Sequence, residues 1–165
     1  MSIPGFDIRY TQIDDLGYIS SWISEKDACI PFPFDFEEKE DALKNWIGFS
    51  KYKASLTGMV EDEPVAVGTL FLMPYKKVSH HASFYLIVDS KFRRKGIGTS
   101  MVRNLCHLAK TRFNLESIHA ELFLPSKLES ILNRLGFKEF AKQDDYEKLS
   151  ENEYRPRLLL EHFFS

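Results

Sequence analysis

No apolar run in the sequence approaches the roughly 20 residues that a bilayer-crossing helix needs, which argues against a helical membrane span. Cysteine is scarce, with Cys29 and Cys106 the only two among 165 residues. They fall in different predicted elements and lack metal-type spacing. Neither a disulfide framework nor a thiolate metal site is expected, and both read as free thiols of a reducing compartment. A positive excess is missing too: 22 Lys and Arg face 24 Asp and Glu, for a formal net charge of −2. No global field therefore draws the chain to nucleic acid or anionic lipid. The start, "MSIPGFDIRYTQIDD", turns charged within seven residues, so no signal peptide is expected. Repeats, low-complexity tracts and linkers are also absent from the pattern. What remains is a cytoplasmic protein with residues 1–165 in one domain, with no metal, nucleic-acid or membrane partner.

What is present is an alternation of periods. "FDIRYT" (6–11) alternates like a strand, and "DDLGYISSWIS" follows with Leu16, Ile19 and Ile23 at helical spacing behind an acidic pair. In "CIPFPFDF" (29–36), Pro31 and Pro33 forbid regular helix. Asp35 is placed to cap a second helix that turns Leu43, Trp46 and Ile47 inward. "ASLTGMVEDEPVAVGTLFLM" reads as two strands about a turn at "EDEP", and "SHHASFYLIVD" (79–89) as a third. A helix over about 98–112 and a strand at "SIHAELFL" (117–124) complete a parallel βαβ unit. After Pro125, Ser126 and Glu129 form a predicted capping box for a helix that ends at Gly136. "FKEF" reads as a short strand, "AKQDDYEKLSENEYRP" as a long acidic connection, and "RLLLEHFF" as a last strand. The order β-α-α-β-β-β-α-β-α-β-β defines an α/β (α+β) domain. Its mixed sheet has about seven strands and four main helices on its faces.

The chemistry concentrates at "FRRKGIGTSM" (92–101). A phosphate-binding P-loop is excluded, because Lys95 precedes its glycine rather than following it. The dinucleotide fingerprint is excluded as well, since its third glycine would fall at Met101. The physics of an anion site is still there. Gly96 and Gly98 let backbone approach a ligand closely. The first helical turn from Ile97 to Ser100 offers unpaired N–H groups at the positive end of a dipole. Arg93, Arg94 and Lys95 add charge, and arginine grips phosphate with two hydrogen bonds. A basic turn capped by glycine is the plain alternative.

"YLIVDSKFRRKGIGTSMVRNL" resembles motif A of the GNAT N-acetyltransferases, with Val88, Arg93, Gly96 and Gly98 in register. "LESILNRLGFKEF" is similar to that family's closing helix and its Leu135-Gly136-Phe137. The element order matches as well, so the resemblance covers nearly the whole chain. It implies a centrally splayed sheet, acetyl-CoA as co-substrate and no metal. It places the pyrophosphate on Arg93, Arg94, Lys95, Gly96, Ile97, Gly98, Thr99 and Ser100. It places the pantetheine arm along Leu86, Ile87 and Val88, where main-chain N–H groups can stabilise developing negative charge.

The usual proton carriers of the family are missing. Its closing-helix tyrosine corresponds to Leu132 and its frequent base position to Ala82. His80, Glu121 and Tyr85 are the candidates that remain, with Tyr146 as a further acid. His80 is read either as a base acting through water or as a turn residue. His119 and Glu121 share a strand face, either as a carboxylate raising histidine basicity or as a structural ion pair. His80 and His81 are adjacent in a strand pattern and so unsuited to share a metal. The acceptor is expected between "CIPFPFDF", with Phe32, Phe34 and Phe36, and the acidic "QDDYEKLSENEY", with Asp144, Asp145, Glu147, Glu151 and Glu153. That combination suits a small-molecule amine or a peptide amine, on an enzyme acting as monomer or homodimer. A CoA-binding module without turnover is the alternative.

Overall fold

The computed structural model describes residues 3–165. Eleven main elements appear in the expected order: β1 (Phe6–Tyr10), α1 (Leu16–Trp22), α2 (Lys39–Ile47), β2 (Ser55–Val60), β3 (Glu63–Leu72), β4 (His81–Val88), α3 (Ile97–Thr111), β5 (Ser117–Phe123), α4 (Leu128–Arg134), β6 (Lys138–Ser150) and β7 (Glu153–Phe163). The seven strands form one sheet in the order β1-β2-β3-β4-β5-β7-β6. All neighbours are antiparallel except β4 and β5. The β2–β3 hairpin turns through Glu61 and Asp62, both at positive φ (48° and 69°), which matches the twist of the strands it joins.

One face of the sheet packs against α3 and α4. Met101, Val102, Leu105, Leu108 and Ala109 of α3 are buried there, as their helical spacing predicts. α3 approaches β3 so closely that a Cβ on Gly68 would stand 2.7 Å from Leu105 Cδ1, and the buried Leu105 side chain would have to shift to admit it. α4 is held less deeply, with Leu132 its one fully buried residue. Its entry differs from the predicted capping box. Leu128 N–H donates to Ser126 Oγ at 3.2 Å, while Lys127 occupies the cap position.

The other face packs against α1 and α2 through Ile19, Ile23, Leu43, Trp46 and Ile47. Asp35 and Glu38 form the reciprocal cap ahead of α2, as expected. A buried polar network anchors this layer. Trp46 Nε1 donates to Thr69 Oγ1 at 2.6 Å, Thr69 and Ser55 hydroxyls lie 2.7 Å apart, and Ser55 Oγ donates to Thr11 Oγ1 at 2.8 Å. Thr57 then joins Thr11 to Asp15, whose carboxylate receives both terminal nitrogens of Arg9 at 2.8 and 2.9 Å.

One expectation is overturned. The segment read as a long acidic connection is strand: β6 runs 13 residues to Ser150 and folds back tightly into β7. Its pattern misled because β6 is a sheet edge, exposed along most of its length, so no apolar alternation marks it. Charged edge residues are a common protection against pairing with other chains.

Candidate active site

Where β4 ends, the backbone turns sharply. Asp89 accepts a hydrogen bond from Lys91 N–H at 3.2 Å, and Phe92 N–H returns to Asp89 O at 2.9 Å. Arg94 and Gly96 then both adopt positive φ, 63° and 83°, and α3 starts at Ile97. Successive turns of this kind aim main-chain N–H groups into one concavity. Helix geometry leaves the N–H groups of Ile97, Gly98 and Thr99 without intrahelical acceptors. Arg93, Arg94 and Lys95 are exposed, and among the described residues none pairs with a carboxylate. Three cations without carboxylate partners, Lys95 lying over the Phe92 ring at 5.8 Å, beside free N–H donors suit a diphosphate well.

Beside this loop the sheet forks. β4 and β5 pair only at His81↔Ser117, Ala82↔Ile118 and Ser83↔His119. Both strands continue beyond that point without pairing to each other, so the β5-facing main-chain edge of β4 from Phe84 onward has no strand partner. Such an edge needs other hydrogen-bond partners, and the amides of a pantetheine arm are suitable ones. Leu86 and Val88 lie half-buried along it. At Gly98 a Cβ would stand 3.4 Å from Ile131 Cδ1 and 3.9 Å from Leu86 Cδ2, so the helix start closes on the fork.

On the α1–α2 side, Tyr85 and Glu121 occupy matching positions on the two arms. Burial, then the charge of Glu121, then Tyr146, push the Tyr85 phenol up to about 12. Tyr85 therefore keeps its proton at neutral pH. Glu121 Oε2 receives Arg157 at 2.7 Å, which leaves Oε1 free of that contact. Arg157 also donates to Gln143 and lies over the Tyr146 ring at 3.8 Å from its centroid. Next to it Arg155 is buried; it donates to Glu147 at 2.7 Å and to the Ile30 carbonyl, and lies over the Phe123 ring. Arg155 thus ties the β6–β7 hairpin to the loop ahead of α2. Both arginines sit on one face of β7, a period-two signal readable in "EYRPR" only once that segment is known to be strand.

The other expected residues are distributed as follows. His80 stands exposed in the turn before β4, five residues from Tyr85, on the order of 15 Å along extended chain. It is not brought to the fork. Its ring contacts His81, at 4.8 Å between centroids, and His81 lies 5.2 Å from His119. Glu121 pairs with Arg157 rather than His119. Burial first, and His81 second, push His119 below its ordinary value, so no carboxylate raises its basicity. Ala82 and Leu132 are fully buried in the α3–α4 core. Phe32 plugs the core at 5% exposure, stacked 5.3 Å from the half-buried Phe34. The acids of the hairpin are largely matched locally: Glu147 with Arg155, Asp144 with Lys142 and Glu151 with Lys148. Among the described residues no cluster of three or more metal-ligand side chains occurs, and no helix is long and apolar enough to cross a membrane.

A seven-stranded mixed sheet with four helices on its faces, forked between β4 and β5, matches the GNAT fold. Residues 19–137 match the profile of the acetyltransferase (GNAT) family, and the chain belongs to that family. It is an acetyltransferase with acetyl-CoA as co-substrate. No curated protein matches the sequence. Solved structures share the fold at low identity. YncA from Salmonella typhimurium, solved with acetyl-CoA, superposes with a TM-score of 0.82 at 12% identity, over 98% of this chain and 95% of that one. An N-acetyltransferase from Staphylococcus aureus gives 0.80 at 16% identity over 96% and 98%. Ribosomal-protein-alanine N-acetyltransferase from Brucella melitensis gives 0.77 at 17% identity over 96% and 99%.

Proposed function

We propose that the enzyme acetylates a primary amine, either a small amine or a peptide or protein amine, by direct attack, within one domain spanning 1–165. The observation that carries this reading is the placement of a protonated tyrosine, Tyr85, and a carboxylate, Glu121, on opposite arms of the fork.

The acceptor arrives as an ammonium with a pKa of roughly 10.4. The free oxygen of Glu121 receives its N–H groups and takes up a proton, directly or through water. The proton then passes on to solvent and Glu121 is restored, while Arg157 holds its other oxygen in place. Acetyl-CoA supplies an activated thioester. The amine nitrogen bonds to the acetyl carbon as the carbon–sulfur bond breaks; Tyr85 gives its proton to the departing sulfur, and the second proton shed by the nitrogen returns through water to Tyr85, so CoA leaves as the thiol. Main-chain N–H groups on the unpaired edge of β4, within Leu86 to Val88, would stabilise the negative charge that develops on the acetyl oxygen. Arg93, Arg94 and Lys95, with the N–H groups of Ile97, Gly98 and Thr99 and the Ser100 hydroxyl, hold the diphosphate.

The test is release of free thiol from acetyl-CoA across a panel of amines and peptides. Acceptor-dependent thiol supports the reading. A second reading, a CoA-binding module without turnover, is favoured by the buried carbon side chains of Ala82 and Leu132. Tight CoA binding with no acceptor-dependent thiol across the panel would establish it instead.

A further inference from the structure

Tyr85 belongs to two places at once. It stands across the fork from Glu121, two residues beyond the last β4–β5 pair Ser83↔His119, and its ring forms one wall of a cavity of about 300 Å³ on the α2 side. That volume sits at the small end of the range for small-molecule sites. Phe34, Trp46 and Phe71 supply the other aromatic walls. Tyr85 meets Phe71 edge-on at 4.7 Å between centroids and Trp46 at 5.3 Å, so the walls are braced against one another. The one indole N–H is turned away and engaged by Thr69 at 2.6 Å. The cavity therefore shows its occupant mostly carbon, with Phe34, Phe71 and Tyr85 half-buried and Asn45 and Glu38 the polar side chains of its lining besides the Tyr85 hydroxyl.

Charge at the rim is of one sign. Glu38 is the only ionisable lining residue besides Tyr85, and no lysine or arginine lines the cavity. One Glu38 oxygen accepts from Asp35 N–H at 2.9 Å. An anionic group entering here would meet a carboxylate and no counter-charge. A second ammonium would have to leave water for mostly carbon walls, which is costly. An uncharged aromatic group gains apolar burial and edge-to-face contacts.

We propose that this cavity selects the acceptor, and that the acceptor is a small primary amine carrying an uncharged aromatic ring on a short linker. The ring fills the box of Phe34, Trp46, Phe71 and Tyr85, and the linker passes Tyr85 to set the nitrogen beside Glu121. The inference rests on the reading that Tyr85 and Glu121 receive the amine.

The experiment compares kcat/KM for five acceptors at one acetyl-CoA concentration: 2-phenylethylamine, butylamine, 1,4-diaminobutane, 4-(2-aminoethyl)benzoate and a lysine-bearing peptide. Expected is a preference of at least about tenfold for 2-phenylethylamine, the size that extra apolar contact in a pocket supports. Phe34→Ala should erase that preference. Glu38→Gln, whose amide oxygen can still cap α2, should raise the relative use of 4-(2-aminoethyl)benzoate. Butylamine, the diamine or the peptide matching or exceeding 2-phenylethylamine overturns the inference while leaving amine acetylation intact. No acceptor-dependent thiol with any of the five overturns the underlying reading, and the inference with it.

Discussion

At the end of β4 the chemistry lies in consecutive residues. Arg93 to Ser100 form one turn and one helix start, and in the proposed donor site main-chain N–H groups do much of the binding. Across the α1–α2 face nothing is consecutive. Tyr85, Glu121 and Arg157 come from three strands, Trp46 and Phe34 from a helix and a loop, and Arg155 reaches Ile30 across 125 positions of sequence. Donor recognition that rests on backbone and exposed cations tolerates change in the rest of the chain. Acceptor recognition built from distant side chains depends on every element that places them. The first is expected to be general to enzymes sharing the donor, and the second particular to this chain.

Substitutions on the acceptor face should therefore alter turnover while leaving donor binding alone. The largest effect is expected for Glu121→Gln, which removes the proton acceptor. Its kcat should fall by about 100-fold or more, with acetyl-CoA affinity by calorimetry unchanged; weakened donor binding would break the separation. Next is Asp15→Asn, at the root of the network beneath Trp46. Removing a charge from this largely buried pair should cost about 3 kcal/mol in denaturant unfolding. Asp15 adds a pH dependence of known sign. Burial pushes its carboxyl up, but Arg9, Gln12 N–H and Thr57 together outweigh that and hold it below the ordinary value. Its contribution to stability is thus complete above the unfolded value of about 3.9 and is lost as pH falls through the lower folded value. A urea titration across that range should show this slope, and Asp15→Asn should flatten it.

Smaller still is Tyr85→Phe, which removes one neutral donor and should lower kcat about tenfold. Because Tyr85 is pushed up to about 12, it stays protonated past the ordinary tyrosine value of about 10. A kcat decline near that ordinary value that vanished in Tyr85→Phe would contradict the assignment. The smallest effect is expected for Lys148→Ala. Its partner Glu151 is 93% exposed at 3.8 Å, and such pairs contribute at most about 1 kcal/mol. Thermal unfolding and thiol release should both stay near wild type.

The same contrast explains what the sequence made legible. Motif A is local, so its turn and helix start could be read from Gly96, Gly98 and the basic triplet, and α3 was placed within one residue at either end. The α4 segment and the β2–β3 hairpin were equally local. β6 was legible only at its start, "FKEF", because edge strands need no apolar alternation, and reading 141–156 as a connection left Arg155 outside the strand that carries Arg157. Partnering was harder still. Glu121 stands two residues from His119 in sequence, yet its partner is Arg157, which only the pairing of β5 with β7 brings alongside. The aromatic box was half legible. Phe34 announced itself in a proline-rich loop, Trp46 read as an inward helix residue, and nothing distinguished Phe71 within its strand run.

The central claim is that the donor is held by the loop at 93–100 independently of the acceptor face. Calorimetric titration of acetyl-CoA into Arg93→Glu/Arg94→Glu tests it most directly, because both side chains are exposed and free of ion pairs among the described residues. Loss of two charge-assisted contacts predicts affinity about 100-fold weaker, with the unfolding midpoint unchanged. Wild-type affinity in that variant would contradict the account.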